Sequence, residues 1–249
     1  MENYGPSTYG DRIADVYDEL YSHLADVSAV VDLLAELVEK GRALELGIGT
    51  GRVALPLAAA GVTVEGIDAS EAMVAKLREK PGGADIRVSL GDLADVAVQG
   101  TFRLIYVPFT TFFALTSQQE QIRCLRNVAD HLDEGGWFVM DAWVPDLTRF
   151  RGNEALSTSQ VTADHVVLDA SQHDPVTQTI RSSHIVLDGG RVRLYPVAVR
   201  YAWPAELDAM ALVTGLELAH RYGDYDRRPF DASSPRHVSV YQLRQKTLS

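Results

Sequence analysis

The stretch ALELGIGTGR, residues 43–52, constrains this chain more than any other. A short apolar run meets three alternate glycines, and helix-forming residues follow at once. Such a run is a buried strand entering a tight turn that opens a helix. Glycines let the backbone reach left-handed angles and let a ligand approach without a Cβ in the way. The first turn of the helix leaves N–H groups without intrahelical partners. The same unit then recurs. Strands are predicted at 42–46, 62–67, 85–89, 103–107 and 136–142, with helices at 52–60, 70–80 and 118–132 between them. Pro56 is tolerable in the first of these helices only near its first turn, because proline removes a backbone donor. Strands alternating with helices predict a doubly wound, mostly parallel sheet of seven strands with helices on both faces.

The flanking segments read differently. Ile13, Val16, Tyr17, Leu20, Tyr21 and Leu24 fall at helical spacing. A second helix, capped by Asp26 or Ser28 and stopped at Gly41, carries Val30, Val31, Leu34, Leu37 and Val38. After about residue 155, strand-like runs at 161–168, 176–187 and 192–203 follow without helices. Asp188-Gly189-Gly190 is a hairpin signal between the last two. Pro204 suits the first position of a helix ending near Gly215, and strands at 216–222 and 237–243 finish the chain. The expected division is a helical lid over 1–40, a cofactor-binding core over 41–154, an antiparallel insertion over 155–203 and the rest of the core over 204–249, all in one domain.

Composition narrows the partners. The 249 residues carry 34 acidic and 23 basic side chains, a net charge of −11. That balance disfavours a nucleic-acid backbone, which needs clustered cations, and an anionic membrane surface. The single cysteine, Cys124, excludes an internal disulfide or a thiolate metal cluster, and no metal is expected. No apolar run approaches the roughly 18 residues of a spanning helix. The opening MENYGPSTYGDR lacks the pattern of a secretory leader, so the cytoplasm is the expected compartment.

Two ligands compete for the glycine turn. A dinucleotide fold wants Gly or Ala at the sixth position of G-x-G-x-x-G, where this chain has Arg52, too bulky for close helix–strand packing. Glu45, just before the first glycine, would repel a pyrophosphate and favour a ligand with a cationic amino-acid end. Further motifs follow in order: GIDAS at 66–70, SEAM at 70–73, GDLADV at 91–96, LIYVPFTTFFAL at 104–115 and DEGGWFVMDAW at 133–143. Together with E-x-G-x-G-x-G at Glu45–Gly51, this series resembles class I S-adenosylmethionine-dependent methyltransferases of the small-molecule type. The resemblance covers residues 40–143 well. It continues more loosely through GLELAHRYGDYD and SPRHVSVYQLR, which look like that family's final hairpin.

The resemblance implies S-adenosylmethionine as cofactor. Asp68 would accept hydrogen bonds from the ribose hydroxyls, Met73 would lie near the adenine, Asp92 would meet its amino group and Leu93 its ring. The candidate cofactor-binding set is Tyr17, Glu45, Gly47, Gly49, Gly51, Arg52, Asp68, Ala69, Met73, Gly91, Asp92, Leu93 and Val107. Simpler roles compete: Asp68 as a helix cap, although Ser70 suits that position better, Asp92 as a turn residue, and Met73 as core.

Tyr9, Tyr17 and Tyr21 are candidates for a lid or for plain helix packing. The implied reaction is in-line transfer of a methyl group to N, O or C of a metabolite of the kind made in secondary metabolism. Alternatives are an NAD(P)-dependent oxidoreductase and a non-catalytic or cyclising protein that keeps the fold. Residues able to remove a proton are Asp164, His184, His220 and His237, with Asp141, His165 and Tyr222 put first. The chain is expected to be a monomer or a homodimer.

Overall fold

The computed structural model describes residues 4–21 and 26–245. Its core is a seven-stranded sheet of order β10-β11-β5-β4-β1-β2-β3. The strands are β1 (Arg42–Leu46), β2 (Thr63–Asp68), β3 (Arg87–Leu90), β4 (Phe102–Val107), β5 (Leu132–Trp143), β10 (Leu216–Tyr222) and β11 (Arg236–Leu243). Strands β1 to β5 run parallel, and β11 is antiparallel to both β5 and β10. The chain leaves β1 towards β2 on one side and returns to β4 on the other. The crevice above β1 and β4 is therefore the topological switch point, where open α/β sheets bind ligands.

Alternation along β4 explains the layering. Leu104 and Tyr106 face one core cluster, with α3 (Ser28–Val38), α4 (Ala54–Ala59) and Leu77 of α5 (Glu71–Arg78). Ile105 and Val107 face the other, with α6 (Gln118–His131) and α7 (Pro204–Val213). Successive strand residues point to opposite faces, so both faces are apolar and both need helices.

A second sheet of four antiparallel strands comprises β6 (Glu154–Val161), β7 (His165–Asp174), β8 (Thr179–Asp188) and β9 (Arg191–Arg200). It corrects the three runs expected here. The run at 161–168 straddles the β6–β7 turn, and β6 itself escaped notice because its mostly exposed EALSTSQV has no apolar face. The turn at Gly189 and Gly190 matches expectation, with φ of 52° and 84°. Left-handed angles at both central residues are what a two-residue hairpin demands.

The N-terminal helix is also corrected. Two short helices, α1 (Thr8–Ile13) and α2 (Tyr17–Leu20), replace one, and Leu24 lies outside the described residues. They lie on the second sheet, where Ile13, Val167, Val186 and Tyr195 form a third small core flanked by Tyr9, Tyr17 and Tyr21. Helix α4 begins at Ala54 rather than at residue 52, so Pro56 falls in its first turn. Strand β5 starts at Leu132, extending through the Gly135-Gly136 turn. Among the described residues, no helix is long and apolar enough to cross a membrane.

Candidate active site

Strand register builds the floor of the site. In the parallel β1–β4 ladder Glu45 pairs with Tyr106, so their side chains share a face. The Tyr106 hydroxyl donates to Glu45 Oε2 at 2.8 Å, and the backbone N–H of Ala54 in α4 also bonds this carboxylate. Glu45 is 2% exposed. Burial pushes its pKa up to about 8, opposed by those two bonds and reinforced by the charge of Asp68. A buried carboxyl with so few donors favours a cationic ligand.

The glycine turn lies above it. Gly47 and Gly49 have φ of 75° and 53°, and a Cβ at Gly47 would sit 2.6 Å from Thr111 Cγ2. Both line the cavity. Asp68, at the end of β2, holds the turn: Gly49 N donates to its Oδ2 at 2.7 Å and Ser70 N to its Oδ1 at 2.8 Å. Burial raises the pKa of Asp68, against those backbone bonds. With the Ala69 backbone N–H as a third donor, the carboxylate keeps one of its four acceptor sites for a hydroxyl donor. Ser70, not Asp68, caps α5, accepting from Met73 N at 3.2 Å.

The N-terminal helices close over this turn. Gly10 permits the contact, since a Cβ there would meet Ser70 Cβ at 2.5 Å. Ser70 Oγ donates to Asp11 at 2.6 Å, and Asp18 takes the Thr50 hydroxyl at 2.7 Å and the Lys80 ammonium at 2.7 Å. Tyr9 and Tyr21 share a hydroxyl hydrogen bond of 2.8 Å, and the Tyr17 and Tyr21 rings lie 4.9 Å apart. All three tyrosines both line the cavity and pack against the second sheet. Burial pushes the Tyr17 hydroxyl up to about 12.

The third wall is the segment after β4. Phe109 and Thr110 both have positive φ, 57° and 63°, a costly conformation for residues with side chains. Asp141 holds it, accepting from Phe109 N, from the Tyr225 hydroxyl at 2.7 Å and from Arg236 at 2.8 Å. Burial raises the Asp141 pKa, and Arg236 and Tyr225 oppose that shift. The Arg52 guanidinium lies 3.9 Å over the Phe109 ring, so the side chain that spoils a dinucleotide turn forms part of this wall.

These walls enclose a cavity of about 650 Å³, within the usual range for ligand sites. Of the expected cofactor-binding set, Tyr17, Glu45, Gly47, Gly49, Arg52, Asp68, Ala69, Met73, Asp92 and Leu93 line it. Gly51, Gly91 and Val107 do not. A Cβ at Gly51 would meet Leu77 at 2.3 Å, so that glycine serves helix packing. Gly91 N bonds Asp68 O at 2.9 Å, and Val107 is buried in the core on the α6 side. Asp92 keeps a turn role as well, accepting from Ala94 N at 2.9 Å.

Of the residues placed first for proton removal, only Asp141 reaches the cavity, and its oxygens already hold the Phe109 segment. His165 sits at the start of β7 beside the Thr162 turn, and Tyr222 stacks on His220 at 5.9 Å. His184 does line the cavity. Arg236, Tyr225 and Asp169, the partner of His184, carry no local sequence signal. Arg236 reaches the site because β11 pairs with β5, Arg236 opposite Trp143, and no local pattern announces such a pairing.

Fold and cavity thus define a doubly wound α/β protein with a ligand-sized cavity at its switch point, lined by the glycine turn and the carboxylates of Glu45 and Asp68. Comparison with known proteins specifies it further. The model of the methyltransferase domain family matches residues 43–136. The cypemycin N-terminal methyltransferase of a Streptomyces species is 30% identical over 232 residues, 92% of this chain and 95% of its own length. A dTDP-4-amino-2,3,4,6-tetradeoxy-D-glucose N,N-dimethyltransferase of Saccharopolyspora spinosa is 29% identical, covering 78% of this chain and 74% of that one. The solved structure of the CcbJ methyltransferase from Streptomyces caelestis is 43% identical, with a TM-score of 0.92 over 97% of this chain and 100% of that one. The chain belongs to the S-adenosylmethionine-dependent methyltransferases, which sets aside the oxidoreductase alternative.

Proposed function

We propose that this enzyme methylates an aliphatic amine on a small molecule, with S-adenosylmethionine as the methyl donor. The observation that carries this reading is one cavity lined by two unlike sets of residues. Glu45, the glycine turn and Asp68 are a polar set suited to the cofactor's amino-acid and sugar ends. Tyr21, Phe109, Leu115, Trp143, Val197 and Val199 are a largely apolar set suited to a metabolite. One relative named above is named for methylation at an N-terminus and another for N,N-dimethylation of an amino sugar, which favours an amine over a hydroxyl or carbon.

When bound, the cofactor supplies a methyl group on a sulfonium, already activated towards a nucleophile. The residues of this chain are then left to bind, align and keep water out. Glu45 holds the cationic end, Asp68 the ribose and Asp92 the adenine edge. The bond from Phe109 N to Asp141 keeps this wall of the cavity in its strained form. Alignment of two reactants at about 3–3.5 Å contributes several kcal/mol to the rate, and the tyrosine-bearing helices over the turn exclude competing water.

The test is incubation of the purified chain with S-adenosylmethionine and a panel of amino sugars, peptides with free N-termini and matched hydroxyl analogues, followed by mass spectrometry. Methyl gain on the amines is expected. Methyl gain only on the hydroxyl analogues, or no binding of S-adenosylhomocysteine by folded protein, would refute the reading.

A further inference from the structure

We propose that His184 is the general base of the transfer, oriented by Asp169, an inference that rests on amine methylation as the reaction. The two residues are directly opposed in the β7–β8 ladder and face the same side of the second sheet. His184 Nδ1 is hydrogen-bonded to an Asp169 carboxylate oxygen, so the Nδ1–H tautomer is the one held, and Nε2 keeps its lone pair. Nε2 has no hydrogen-bond partner among the described residues. The side chains are 27% and 24% exposed, and His184 lines the cavity. This is a half-open basic nitrogen held from behind by a carboxylate.

Its surroundings place it on the acceptor side. Tyr195 of β9 is the other cross-strand neighbour. Just past α2, Tyr21 feels the charges of both Asp169 and Arg52, and Arg52 lies over Phe109. The dyad, the lid and the segment after β4 therefore border one space. From α1, Tyr9 bonds Tyr21. Burial raises the pKa of Tyr9, Tyr17 and Tyr21, so these hydroxyls stay neutral around the imidazole. The Asp169 carboxylate is the acidic group bonded to it, and the Arg52 guanidinium acts on Tyr21.

An aliphatic amine with a pKa near 10 is a cation in neutral water, with about one molecule in a thousand carrying the lone pair that attack requires. In the step proposed here, the bound ammonium gives one proton to His184 Nε2, and the imidazolium is stabilised by Asp169. The freed nitrogen pair forms the new N–C bond as the S–C bond breaks, and that electron pair returns to sulfur. The positive charge of the sulfonium passes to the methylated nitrogen. The proton on His184 then leaves to solvent when the lid opens. His184 touches the acceptor, whereas Asp169 is a positioning residue.

The experiment compares wild type, His184→Gln and Asp169→Asn, using an amine that the wild type methylates, from pH 6 to 10. His184→Gln is expected to lower kcat/KM at pH 7 by about 10²–10³-fold. Its rate should then climb about tenfold per pH unit towards the amine's own pKa, while affinity for S-adenosylhomocysteine stays unchanged. Asp169→Asn should show a smaller loss with a shifted profile, and Asp169→Glu should recover part of it. A His184→Gln enzyme with wild-type rate and profile would overturn the proposal, reducing the dyad to a cross-strand pair. Should the wild type methylate no amine while still binding S-adenosylhomocysteine, the amine reading fails first and takes the dyad's role with it. Loss of cofactor affinity in His184→Gln would also count against the proposal, and circular dichroism separates that result from unfolding.

Discussion

Glu45 is held by two bonds in a buried position that favours its neutral form, yet its proposed ligand demands its charge. Burial raises it from 4.5 to about 8. The folded chain therefore keeps a proton between those values that the unfolded chain releases. The associated stability is complete below pH 4.5 and is lost as pH rises from there through 8. At about 1.4 kcal/mol per unit, the loss totals about 5 kcal/mol.

A cofactor ammonium beside Glu45 reverses this preference by drawing the carboxyl back to its charged form. At pH 7 about nine-tenths of the free enzyme must then lose a proton on binding, and affinity should rise roughly tenfold per unit from pH 6 towards 8. Titration calorimetry with S-adenosylhomocysteine, in two buffers of different ionisation enthalpy, reads both the affinity and the proton release. Glu45→Gln should move binding and stability in opposite directions. It should bind about 10–100-fold more weakly at pH 8, from loss of a charged hydrogen bond. It should also melt higher than wild type at pH 8.5 and match it near pH 5. Affinity independent of pH with no proton release, or a Gln variant no more stable at pH 8.5, would refute this reasoning.

Other consequences concern the supports of the same site. Asp68→Ala should weaken S-adenosylhomocysteine binding more than tenfold, at about 1.4 kcal/mol per tenfold, with a native circular dichroism spectrum; unchanged calorimetric affinity would remove Asp68 from the site. Gly10→Val should force α1 off Ser70, costing about 1–3 kcal/mol of overpacking and exposing the N-terminal segment to limited proteolysis even with cofactor present. Asp141→Asn should destabilise the fold by roughly 1–3 kcal/mol, a modest figure because Arg236 retains Asp224 at 3.5 Å. It should lower kcat more than cofactor affinity, which steady-state kinetics beside calorimetry can check.

Glu45, Gly47, Gly49, Asp68, Asp92 and Leu93 were legible as cavity residues because each sits at or near the end of a strand whose apolar run and turn are contiguous in the chain. The Gly189-Gly190 hairpin and Pro204 at the start of α7 were legible for the same reason. Strand β6 was not, since its mostly exposed residues carry no burial pattern. Gly51 looked like its neighbours in the motif, yet it packs under Leu77. Among seven candidates for proton removal, nothing local distinguished His184 from His165.

What the amino acids determined by themselves was the parallel core, its glycine turn and the carboxylates beside it, because periodicity, turn geometry and residue type act over a few positions. Tertiary structure decided the strand order, with its switch point, and the opposite wall of the cavity. The Phe109 strain rests on Asp141 and Arg236, which come from two paired strands. The His184 dyad depends on a ladder register 15 residues apart in sequence and on N-terminal helices that pack across it. Such contacts depend on which surfaces meet once the chain has collapsed, and short-range patterning does not record that choice.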